Sequence, residues 1–251
     1  MTTVATVAIM SRCADAVMAI VFAPSCAACQ LPLDTPSRGA VCQVCWAAIR
    51  PLTEPLCQTC GDSLPSWRLD GAFTRQCLRC RRLPRVLTRA RAIGSYEGAL
   101  RDILHALKYG GRRSVARPLA RLMAETGASV LEGADFVVPV PLHVVRRYQR
   151  GFNQARELAR HVGTPVLDAL RRTRPTAMQT DLPEAERHLN VRDAFAVARG
   201  ARSSLRDSVV VVIDDVSTTG ATLDACACVL LDTGAREVRG LTAARAASRL
   251  P

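Results

Sequence analysis

Five β-branched residues in a row, Val209-Val210-Val211-Val212-Ile213, follow the polar Arg206-Asp207-Ser208. Such a run, apolar at every position, predicts a strand buried on both faces. Residues 223–231 then read as a helix that Gly234 stops. Upstream, residues 90–95 read as a strand, and Leu100, Ile103, Leu104 and Leu107 recur at helical spacing until Gly110-Gly111 ends the run. Residues 115–123 continue as a second helix. Residues 135–141 form another apolar strand closed by proline, a helix runs from near Asn153 to His161, and residues 238–243 supply a last strand before a frayed tail at 244–251. Strands alternating with helices predict an α/β fold with a doubly wound parallel sheet.

The first third of the chain shows no such periodicity. Four Cys-x-x-Cys knuckles take its place: Cys26/Cys29, Cys42/Cys45, Cys57/Cys60 and Cys77/Cys80. Two thiolates separated by two residues bite one metal in a tight turn, and tetrahedral zinc takes two such pairs. Sequential pairing gives two zinc-ribbon spacings and two structural zinc ions, although spacing alone also allows interleaved pairing. Residues 1–23 read as a short apolar helix or a disordered start, 24–82 as a double zinc ribbon, and 83–251 as the α/β domain. The apolar stretch at 4–22 is broken by Arg12 and Asp15 and lacks a basic leader, so neither a secretory signal nor a membrane span is expected. A reducing, cytoplasmic setting then favours metal over disulfides for the paired cysteines. Cys13, Cys226 and Cys228 read as small buried side chains.

The formal charge of +12 comes almost wholly from arginine, and Lys108 is the only lysine. Positive charge of this size suits phosphate-bearing partners. The connector at 81–91, with Arg81, Arg82, Arg85, Arg89 and Arg91, is either a solvated linker or a nucleic-acid contact beside the ribbons.

Chemistry concentrates at two strand ends. After Ile213 come Asp214, Asp215, Val216, Ser217, Thr218, Thr219, Gly220, Ala221 and Thr222. Free backbone N–H groups and threonine hydroxyls before a helix make an anion cradle, and Gly220 lets the backbone approach a phosphate. Two carboxylates beside a phosphate would repel it unless a sugar separates them and donates hydroxyls to Asp214 and Asp215. The segment resembles the phosphoribosyl-pyrophosphate (PRPP) motif of the type I phosphoribosyltransferases, which implies ribose hydroxyls on the acids and a 5′-phosphate on the 218–222 loop. At the second strand end stand Arg146, Arg147, Arg150, Gly151, Asn153 and Gln154, read as a basic loop suited to pyrophosphate because guanidinium forks phosphate oxygens bidentately. Lys108 and Tyr109 are open between this site and solvent.

Val-Pro-Val-Pro-Leu, then Arg-Arg-x-x-Arg-Gly-Phe-Asn-Gln, with the knuckles and Asp-Asp-Val-x-Thr-Thr-Gly-Ala-Thr, is similar to the ComF/GntX family over nearly the whole chain. Those proteins are phosphoribosyltransferase-like, and some are linked to DNA uptake. The resemblance extends to a Thr-x-x-Gln and Glu-Arg-x-x-Asn pattern and makes Arg172, Arg174, Gln179, Arg187 and Asn190 candidates for a loop that closes over substrate. A fixed helical hairpin is the other reading of that segment. Two functions remain. One is transfer of phosphoribosyl from PRPP, with Mg2+, to an acceptor that nothing in the sequence identifies. The other is binding of PRPP or a related ribose phosphate by a protein that handles single-stranded DNA, with a helicase-like competence component as the partner that the resemblance implies. In the second, the ribbons (Trp46, Trp67, Phe73) and the connector are the expected DNA contacts.

Overall fold

The computed structural model describes residues 15–65, 75–109, 111–174, 191 and 193–246. Cys13, Trp67, Phe73, Gln179, Arg187, Asn190 and the tail beyond Ala246 lie outside the described residues.

Four parallel strands form the main sheet: β1 (Ala90–Ser95), β2 (Phe136–Pro139), β5 (Val209–Ser217) and β6 (Glu237–Arg245), in the order β1-β6-β5-β2. A short antiparallel pair, β3 (Leu170–Arg172) and β4 (Phe195–Val197), stands beside it. The helices that matter to the site are α1 (Gln43–Ala47), α2 (Leu78–Arg82), α3 (Gly98–Tyr109), α4 (Ala116–Thr126), α5 (Val144–Arg150), α6 (Gln154–Ala159) and α7 (Ala221–Asp232).

The apolar run of β5 is explained by what covers it. Successive side chains of a strand point to opposite faces. Val210 and Val212 pack with Leu205, Leu223, Cys226 and Leu230, whereas Val211 and Ile213 pack with Leu104, Leu107, Leu119, Met123 and Leu158. Each face needs its own helix layer, so the sheet is doubly wound. Cys226 is fully buried there, as a small core side chain, but Cys228 is exposed, against expectation, because it falls on the outward side of α7.

Three other differences matter. β5 does not stop at Ile213: it pairs with β6 through Ser217, so the acid pair sits on a strand rather than in a loop. The basic segment after β2 is helical at Val144–Arg150, started by His143, whose Nδ1 accepts from the Val145 N–H, and stopped by Gly151 at φ 71°. Ala244 and Arg245, expected in a frayed tail, are paired residues of β6. The ladder supplies their backbone partners, and Asp62 draws the Arg245 side chain inward.

The ribbons are packed onto the α/β domain. Cys26, Leu33, Val41 and Cys45 share a core with Ile103 and Ala106 of α3. The second ribbon is tied by charge: Arg245, only 4% exposed, donates from Nε and from Nη2 to the two oxygens of Asp62, the latter at 2.8 Å. Its burial works against the charged form, but Asp62 more than offsets this and raises the guanidinium above its ordinary value. Arg91 donates to the Gln58 carbonyl at 3.2 Å. These contacts account for part of the basic connector: Arg91 is a structural strut.

Where residues 50 and 51 cross β1, a Cβ on Gly94 would meet the Arg50 carbonyl oxygen at 2.1 Å. Gly94→Ala is therefore expected to lower stability by about 1–3 kcal/mol, as overpacking does. Chemical denaturation checks this, and an unchanged midpoint would show that the crossing is loose.

Candidate functional site

In a parallel sheet the ligand crevice opens at the carboxyl ends of the strands. Here those ends deliver Tyr96 after β1, Val140 and Leu142 after β2, Asp214, Asp215 and Val216 on β5 with Thr218 just after it, and Ala246 after β6, all around one cavity of about 350 Å3. A small ligand fits a space of that order.

The acid pair forms its floor. Asp214 Oδ1 accepts from the Asp215 N–H at 2.9 Å, and Asp215 Oδ1 accepts from the Val216 N–H at 2.7 Å. Lys108, in the last turn of α3, lies 2.9 Å from Asp215 Oδ2 and 5.7 Å above the Tyr96 ring. Burial opposes the lysine's charge, yet Asp215 holds its pKa above the ordinary value. Asp214 has no such partner among the described contacts. Burial, then the charge of Asp215, pushes its carboxyl up to about 8.

Next to the acids, the turn 218–220 leads into α7. Gly220 takes φ 84° at the helix N-cap; the buried Ala221 N–H donates to Thr219 Oγ1 at 3.4 Å, and Thr218 and Thr222 are the residues of this turn and helix start that line the cavity. Arg85 supports this turn from behind. Its Nη1 donates to the Thr219 carbonyl, its Nε lies 2.8 Å from Asp224 Oδ2, and its side chain is 4% exposed. A Cβ on Gly220 would collide with that guanidinium at 1.9 Å. So the glycine serves both the backbone angle and the close approach of Arg85.

The opposite wall is basic. Asn153 caps α6 by accepting from Ala155 and Arg156 N–H, and its Nδ2 donates to the Val140 carbonyl at 2.9 Å, pinning the helix to the end of β2. Arg150 donates to Gln154 Oε1 at 3.2 Å and stacks 5.1 Å from the Tyr109 ring centroid. Arg172 enters from β3; burial first, then nearby Arg146, lowers its guanidinium below the ordinary value.

Thus Arg146, Arg150, Asn153, Gln154, Arg172, Asp214, Asp215, Val216, Thr218 and Thr222 line the one cavity. Arg147 and Gly151 do not: they open onto a second cavity of about 490 Å3 on the other side of α5. Ser217, Thr219, Gly220 and Ala221 are buried beneath the turn, and Arg174 is not among the lining residues. Lys108 and Tyr109, open in the sequence, face the cavity, as do Tyr96 and His105, which sequence reasoning missed. His105, Lys108 and Tyr109 share one side of α3 at helical spacing, a signal the sequence did hold. Arg85 had none, because its partners lie more than a hundred residues away.

The thiols form two groups, Cys26/Cys29/Cys42/Cys45 and Cys57/Cys60/Cys77/Cys80, each with its sulfurs within 4.8 Å of one another. Sequential pairing is therefore the arrangement. Sulfur pairs stand at 3.8 Å (Cys26–Cys45), 3.8 Å (Cys29–Cys42) and 3.6 Å (Cys60–Cys77). A tetrahedron with Zn–S bonds of about 2.3 Å requires S···S near 3.8 Å. Both four-cysteine groups fit structural zinc. Among the described residues, no helix is long and apolar enough to cross a membrane.

Fold and site together define a class: a double zinc ribbon packed on an α/β domain with a doubly wound parallel sheet. Residues 17–81 match the family model for a double zinc ribbon domain. The chain is 32% identical over 224 residues to the DNA utilization protein YhgH of Salmonella typhi, covering 85% of this chain and 93% of that one. It is 27% identical to Competence protein F of Haemophilus influenzae (84% and 92% covered) and 28% identical to Competence protein ComFC of Bacillus subtilis (77% and 79%). The chain belongs to the ComF family. Among solved structures it is similar to a purine phosphoribosyltransferase from Pyrococcus horikoshii, at 15% identity and a TM-score of 0.28 over 53% of this chain and 89% of that one.

Purified protein should carry two zinc ions per chain, and Cys60→Ser should carry one; elemental analysis decides, and full zinc in the variant would remove Cys60 from the ligand set. The acid floor generates a second expectation. With the Asp214 carboxyl up to about 8, the folded protein keeps a proton that the unfolded chain loses near pH 4. Stability should then fall as pH rises from about 5 to 8, and Asp214→Asn should flatten that slope. Denaturation midpoints across the window test it; an equal slope in the variant would refute it.

Proposed function

We propose that the cavity binds a ribose phosphate, PRPP being the fitting member of that class, and that the protein acts in the handling of single-stranded DNA. The observation that carries the ligand is the placement of opposites in one space. Two adjacent carboxyl groups and a threonine-lined helix start face Arg146, Arg150 and Arg172 across the cavity. A phosphate alone would be repelled by the acids, and a sugar alone would leave the guanidinium groups unmatched. A phosphorylated sugar with a pyrophosphate arm satisfies both.

In this reading Asp214 and Asp215 accept from vicinal hydroxyls. Asp215 is already oriented by Lys108 at 2.9 Å, so the lysine fixes the acceptor geometry. Thr218, Thr222 and the N–H groups at the start of α7 take the 5′-phosphate, and Arg146 and Arg150 take the pyrophosphate oxygens. Mg2+ bound with the ligand would neutralise part of the pyrophosphate charge and draw its oxygens together with the ribose hydroxyls. The DNA role comes from the relatives, named for DNA utilization and competence.

The enzymatic reading is favoured by one observation: His105 lines the same cavity as the acid floor and Arg150, where an imidazole is able to take a proton from an incoming acceptor. Release of pyrophosphate on addition of a base or amine would select it.

Calorimetric titration with PRPP and Mg2+ is the test. Heat of binding is expected for the wild type, with affinity about 10- to 100-fold weaker in Asp214→Asn/Asp215→Asn, the scale of a charged hydrogen bond. Thr222→Val, on the phosphate side and away from Lys108, is expected to weaken binding as well. No heat from zinc-loaded wild type would overturn the ligand assignment.

A further inference from the structure

The connector at 81–91 is a poorer DNA contact than its composition suggests. Arg85 is buried against Thr219 and Asp224, and Arg91 is spent on the second ribbon. Arginines and aromatics meet elsewhere. The chain has three tyrosines, and all three, Tyr96, Tyr109 and Tyr148, stand around the crevice or on α5. Arg150 stacks on Tyr109, and Arg113 lies 4.6 Å from the Phe152 ring centroid while donating to the Gly151 carbonyl at 3.2 Å.

Helix α5 organises these groups by spacing. Arg146 and Arg150, four apart, face the first cavity, and Arg147 faces the second. Tyr148 and Val144, also four apart, form the crest between them and are 90% and 72% exposed. Phe22 and Tyr109 are exposed as well, at 74% and 58%, but Tyr148 is the most open of the three and stands on a helix that carries arginines to both cavities. In the second cavity Arg156 and Arg160 are matched by Asp168 and Glu157, which leaves Arg113 and Arg147 as the cations available for phosphate.

The geometry points to α5 as a single-stranded DNA contact: a base stacks on Tyr148 while Arg147 and Arg113 take the adjoining backbone phosphates in the second cavity. A sequence-tolerant strand binder combines these two elements, ring platforms and a basic groove. A duplex, with its bases already stacked, gains nothing from an isolated ring. The assignment rests on the DNA role proposed above and adds the place. It puts the strand on the wall shared with the ribose-phosphate cavity, so that the two ligands meet across one short helix.

Anisotropy of a labelled oligothymidylate, read with wild type, Tyr148→Ala, Arg147→Ala and Arg81→Ala/Arg82→Ala, tests it. Tyr148→Ala is expected to weaken binding about tenfold or more and to leave the PRPP titration unchanged. Arg147→Ala should lower the slope of log affinity against log salt by about one. If both α5 variants bind as wild type and the Arg81/Arg82 variant does not, the strand lies on the connector and the inference is overturned. If wild-type protein binds no oligothymidylate at all, the DNA reading itself falls, and the inference with it.

Discussion

Burial of β5 on both faces is the constraint from which the site follows. A strand covered by helices on either side does not slip freely, since a one-residue shift would put Asp214 where Ile213 is packed among Leu104, Leu107 and Leu158. Its hydrogen-bonded register with β6 holds through Ser217, beyond the apolar run. The first polar residues, Asp214 and Asp215, are therefore presented at the end of a rigid rod. A loop would have let them move apart or turn away from one another. On the strand they are held as neighbours with their backbone fixed, and only their environment remains to be set.

That environment is an electrostatic balance struck by elements on both sides of the sheet. Lys108 arrives from α3 on one side, and Arg172 from β3 on the other; towards α7 the acid pair is followed by Thr218 and Thr222, which line the same cavity. Lys108 pairs with Asp215, and removing one partner of such a buried pair costs about 3–5 kcal/mol because the other charge is stranded. Asp214, with its carboxyl up to about 8, instead relieves the crowding by keeping its proton. The two acids are adjacent in sequence but differ in environment: Asp215 is paired with Lys108 at 2.9 Å, while Asp214 is poised to ionise when a cation or cationic ligand complex approaches. A ligand that brings positive charge to the floor and negative charge to the wall is the one that gains from both.

Legibility in the sequence followed the range of the interaction. The ribbon spacing, the β5 run, the helical stripe of α3 and the acid pair are each written locally, within a single element or knuckle pair, and each is present in the structure. What could not be read is long-range. Arg245 looked like tail because its partner, Asp62, lies 183 residues away. Arg85 looked like linker because Thr219 is 134 residues away. The helix Val144–Arg150 was missed for another reason: with His143 as its cap and a glycine stop, it carries no buried residue, so it has no apolar stripe for periodicity to detect. The split of Arg146 and Arg150 from Arg147 between two cavities exists only once that helix is known.

Arg245 and Arg85 also change what the zinc ribbons are for. Asp62 stands just after the Cys57/Cys60 knuckle, and Arg245 stands opposite Ser217 in the β5–β6 register. The chain leaving Cys80 and α2 carries Arg85 directly behind the 218–220 turn. A module this small has little core of its own and depends on its metal for order. The second four-cysteine group therefore fixes one end of two arginine struts whose other ends hold β6, the partner of the acid strand, and the 218–220 turn. On this geometry the ribbon is part of the frame of the α/β site.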